Sequence, residues 1–78
     1  IEDAVDLALV RRMGSDGSAK EIRSGARLSL GEVADVVGVT RPCIQRWELG
    51  QRAPSGEAAM RYLALLRALR AHAEEPIR

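Results

Sequence analysis

Phenylalanine is absent from this 78-residue chain, and one Trp and one Tyr are its only aromatic residues. A core built here is therefore aliphatic. The 46% hydrophobic content fills one small domain at most. Cysteine occurs once, at Cys43, which excludes an internal disulfide and a multi-cysteine metal site. The one histidine, His72, has no metal-binding company and reads as a solvated helix end. No apolar run approaches the roughly 20 residues of a membrane span. The acidic start Ile1-Glu2-Asp3 is the opposite of a basic signal-peptide n-region. No nucleophile–base pair and no Gly-rich phosphate loop can be found. The expectation is a cytoplasmic chain that is not an enzyme and needs no cofactor. Because it begins at Ile1, an additional domain or a partner protein is also expected.

What is present is helical. Ala, Leu, Val and Arg dominate, and β-branched residues nowhere alternate with polar ones. Residues 1–13 read as an N-terminal accessory helix, with Ile1, Val5, Ala8, Leu9 and Arg12 at spacings of three and four. Its early acids and its late Arg11 and Arg12 suit the helix dipole. Gly14-Ser15-Asp16-Gly17 reads as a turn, and residues 14–78 as one compact unit. Ser18 with Glu21 has the spacing of a capping box opening a helix that runs to about Ala26.

A second such box, Ser29 with Glu32, opens a helix carrying Leu30, Val33, Ala34 and Val37 on one face. Gly38 ends it in a left-handed conformation. Thr40 caps the next helix, where Pro42 is tolerated in the first turn, and Gly50 stops it. Ser55 then caps a helix from about Gly56 to His72, with Met60, Leu63, Leu66 and Leu69 spaced for burial. Leu65 and Leu69 suggest a homodimer surface, and Pro76 marks the helix as finished by Glu75.

The net charge is only +1, but it is unevenly spread. Residues 1–22 carry three basic against five acidic side chains, whereas residues 23–52 carry five Arg against Glu32, Asp35 and Glu48. The basic middle coincides with the helix pair of residues 29–50. There, the small Ala34 lets two helices cross closely. Ile44 and Trp47, one turn apart, anchor the second helix, so positions 41, 42, 45 and 46 must face outward. Arg41 and Arg46 can each donate two hydrogen bonds to guanine, and Gln45 suits adenine. Thr40 and the free amides at the helix start favour a phosphate oxygen. Cys43 reads as a small packing residue before a redox one.

With Ala34, Gly38, Val39, Ile44, Trp47-Glu48-x-Gly50 and the following Arg52, Pro54 and Ser55, residues 18–70 resemble the Cro/phage-repressor-like (XRE-type) helix-turn-helix family. The resemblance implies an all-α, lambda-repressor-like bundle of about five helices and a transcriptional regulator, with a repressor expected. Its partner would be a double-stranded DNA operator, bound by two copies on adjacent half-sites. It implies base contacts for Arg41, Pro42, Gln45 and Arg46, and backbone contacts for Thr40, Cys43, Gln51 and Arg52. It implies structural roles for Ala34, Gly38, Ile44, Trp47 and Gly50, and an ion pair between Arg23 and Glu48. Two positions depart from the family pattern. Leu30 replaces a frequent Gln, and Cys43 replaces a Ser or Thr and is a weaker donor. The alternative expectation is an antitoxin-like interaction module, in which the helix of residues 1–13 binds a partner protein and DNA binding serves autoregulation.

Overall fold

Residues 2–74 are described by a computed structural model, and the all-α class holds: five helices and, among the described residues, no strand. They are α1 (Glu2–Ser15), α2 (Ser18–Gly25), α3 (Leu30–Val37), α4 (Arg41–Glu48) and α5 (Gly56–Glu74). All five contribute to one core. Val10 and Met13 come from α1, Ala19 from α2, Val33, Ala34 and Val37 from α3, Ile44 and Trp47 from α4, and Ala59, Tyr62, Leu63 and Leu66 from α5. The two aromatics meet at its centre, with ring centroids 5.1 Å apart and planes tilted by 42°. The hydroxyl of Tyr62 is buried there without a hydrogen-bond partner among the described residues. Burial, and then the nearby Glu48 charge, raise its pKa.

Three local expectations are corrected. First, α1 is turned about half a revolution from the expected face. Val10 and Met13 are buried and Leu7 packs on the core, whereas Val5 is 62% exposed and Ala8, Leu9 and Arg12 lie outward. Apolar residues lie on both sides of this helix, and the partner surface decides which side is buried.

Second, Gly14 and Ser15 are helical, and the turn is confined to Asp16 and Gly17. Gly14 is buried against α4: a Cβ on it would lie 2.5 Å from the Trp47 carbonyl oxygen, so only glycine permits this approach. Third, Ser18 is not an N-cap. Gly17 holds that position in the left-handed conformation (φ 88°) without a side-chain cap. Asp16 substitutes, its carboxylate accepting from the Ser18 amide at 2.9 Å and the Ser18 hydroxyl at 2.6 Å. These bonds hold the Asp16 carboxyl below its usual range.

α5 continues to Glu74, two residues past the expected end, and the expectations about Ile1, Glu75 and Pro76 lie outside the described residues. Polar ties add to the docking of α1. Arg11 Nε donates to the Pro54 carbonyl at 2.9 Å, and Arg67 of α5 pairs with Asp6 at 3.1 Å.

Candidate nucleic-acid interface

The pair α3–α4 is built by local rules. Ser29 Oγ accepts from the Glu32 amide at 3.0 Å, and the Glu32 carboxylate accepts from the Ser29 amide at 2.8 Å, a complete capping box. That amide holds the Glu32 carboxyl below its usual range. Gly38 leaves α3 at φ 85°, and its amide and that of Val39 both donate to the Ala34 carbonyl, at 2.8 and 3.0 Å. The chain thus turns within two residues and enters α4 through extended Thr40, whose hydroxyl accepts weakly from the Cys43 amide at 3.4 Å. Pro42 lies in the first turn, where a missing amide costs nothing.

One side of α4 faces the protein. Ile44 is 0%, Trp47 4% and Glu48 7% exposed. The buried Glu48 is held by a fork from α2: Arg23 Nε and Nη2 reach its two carboxylate oxygens at 2.5 and 3.0 Å. Arg23 Nη1 donates in addition to the Leu28 carbonyl at 2.9 Å, so one guanidinium joins α2, the α2–α3 connection and the end of α4. The hydrogen bond to Glu48 raises the Arg23 pKa further.

The other side faces water. Arg41, Pro42, Gln45 and Arg46 are exposed, and Cys43 is half-buried. At about 3.6 residues per turn, Pro42 and Arg46 form the crest, Arg41 and Gln45 one shoulder and Cys43 the other. None of Arg41, Gln45 and Arg46 makes a side-chain hydrogen bond or ion pair among the described residues. Beyond α4 the chain turns at Gly50 (φ 71°), and the amides of Gln51 and Arg52 donate to the Arg46 carbonyl at 2.9 and 3.3 Å. This fold-back opens a polar cleft of about 390 Å³ beside α4, lined by Thr40, Cys43, Arg46, Arg52 and Ser55. Two guanidinium groups and two hydroxyls around one opening suit a phosphate oxygen. Arg46 therefore stands both on the crest and on the wall of the cleft.

Two residues that hold this site were not read as such from the sequence. Gly14 sets the contact between α1 and the end of α4, and a glycine inside a helical pattern was the available signal. Arg61 of α5 donates from Nε to the Val37 carbonyl at 2.7 Å. No short-range pattern announces a partner 24 residues away. Among the described residues no cluster of three His, Cys, Asp or Glu side chains could hold a metal ion, and no helix is long and apolar enough to cross a membrane.

A family model described as helix-turn-helix matches residues 20–70, from α2 into the second half of α5. No curated protein and no solved structure matches the chain.

Proposed function

The chain belongs to the helix-turn-helix family of DNA-binding regulators of the Cro/repressor type, and we propose that it reads a specific operator by laying α4 in the major groove and represses transcription from it. The observation that carries this reading is the division of α4: its inner side is locked to the core, and its outer side offers Arg41, Pro42, Gln45 and Arg46 to water. Arg41 and Arg46 would read guanine, Gln45 adenine, and Pro42 would lie against a thymine methyl. Thr40, Cys43, Gln51 and Arg52 would follow the sugar–phosphate backbone around the cleft. Two copies would bind half-sites about one helical turn apart, with the chain acting on DNA in the cytoplasm. Selection of duplexes from a random pool by the full chain tests this. An enriched site a few base pairs long, or a pair of them, is expected, and recovery of unselected sequence overturns it.

A second reading, capture of a partner protein, is favoured by the outward apolar residues of α1, Val5 and Leu9. Removing the whole helix would also remove Val10 and Met13 from the core. The suitable variant is the surface pair Val5→Ser and Leu9→Ser. On this reading it retains the melting temperature and DNA binding but loses the co-purifying partner, whereas unchanged co-purification rejects it.

A further inference from the structure

Arg61 is the candidate that the DNA-reading proposal leaves unused. It projects from α5, whose neighbouring Ala59, Tyr62 and Leu63 are buried, so its backbone is a fixed point. Its Nε donates at 2.7 Å to the carbonyl of Val37, the last residue of α3. Its guanidinium lies against the turn: a Cβ built on Gly38 would meet Arg61 Nη2 at 3.4 Å. The positive charge stands at the C-terminal end of α3, where the helix dipole favours it. Glu57, one turn back on α5, lies 3.7 Å from Nη1 on the solvent side. That exposed pair adds little energy, but it flanks the guanidinium.

We propose that Arg61 is a positioning residue for DNA readout, bracing the α3–α4 turn from α5 and so setting the angle at which α4 leaves the turn. This rests on the DNA-reading proposal above. The far end of α4 is already held by the Arg23–Glu48 fork and the Gly14–Trp47 approach. At the near end, the first turn of α4 has no polar side-chain tie to another helix among the described residues, and Arg61 instead holds the end of α3 from which the turn departs. Leverage makes the brace matter. With the far end fixed, Arg41 lies seven residues before Glu48, about 10 Å along the helix, so a swing of roughly 6° moves it by about 1 Å. Hydrogen bonds to base edges tolerate only a few tenths of an ångström, whereas contacts to phosphates adapt.

The test compares the full chain carrying Arg61→Met with the native chain on its selected operator and on random duplex, across a salt series. The expected result is a roughly three- to tenfold loss on the operator, with unchanged affinity for random DNA and an unchanged salt slope. Arg61→Lys, which keeps a charged donor, recovers part of the loss. If Arg61→Met does not fold by circular dichroism, Arg61→Lys is read alone, with a smaller but still operator-confined loss expected. Equal losses on both duplexes with a shallower salt slope would make Arg61 a phosphate contact and overturn the proposal. Unchanged operator affinity beside a lowered melting temperature would make it merely structural, and also overturns it. A native chain that prefers no sequence would instead sink the DNA-reading proposal itself, and this one with it.

Discussion

Glu48 and Arg46 stand two residues apart on α4 and live in opposite surroundings. Glu48 is 7% exposed and gripped by Nε and Nη2 of Arg23, whereas Arg46 lies open with no side-chain partner among the described residues. A charge taken out of water needs a partner with good geometry, and the fork supplies it. A charge left in water keeps its donors for a ligand. The inner side of the helix is therefore expected to govern stability and the outer side recognition. The two should separate under mutation.

The largest effect is expected on the inner side. Arg23→Ala leaves Glu48 buried and uncompensated and should lower stability by about 3–5 kcal/mol, measured by urea unfolding. A loss well under 1 kcal/mol would mean that water reaches Glu48 and that the division between the sides is weaker than drawn. Gly14→Ala comes next. Alanine is the better helix former by roughly 1 kcal/mol, yet its Cβ would collide with the Trp47 carbonyl. A net loss of about 1–3 kcal/mol is expected. A stabilised variant would show that α1 shifts freely over the end of α4.

Arg52→Ala probes the outer side and should leave the melting temperature unchanged. It should weaken operator and random DNA alike and reduce the salt slope by roughly 0.9, the share of one phosphate. An unaltered slope would remove Arg52 from the cleft's function. The smallest effect is a gain. Tyr62→Phe removes a buried hydroxyl that lacks a partner and should raise stability by about 1 kcal/mol. A destabilised variant would reveal that the hydroxyl is hydrogen-bonded in solution.

Residues 29–50 were legible because their signals are local. The Ser29–Glu32 box, Gly38 and the spacing of Ile44 and Trp47 each depend on a few neighbours, and the structure has all of them in place. What the sequence could not show was decided between segments. α1 carries Val5 and Leu9 on one side and Val10 and Met13 on the other, and only α2, α4 and α5 choose between them. Ser18 and Glu21 have capping-box spacing, but Asp16 and left-handed Gly17 complete the turn first. Arg61 is one more arginine on a polar helix face until the Val37 carbonyl lies beside it. For the outer side, residue types indicate the chemistry and leave the operator open.

Arg46 tests the division most directly, because it is exposed on the crest yet only two residues from the buried Glu48. The measurement is selection of duplexes from one random pool by the native chain and by Arg46→Ala, with operator affinity and melting temperature recorded for both. The expected result is an unchanged melting temperature, a loss of about 1–3 kcal/mol on the native operator, and relaxed preference at one base pair of each half-site. A uniform loss on every sequence, or none at all, would contradict the claim that this side of α4 reads bases.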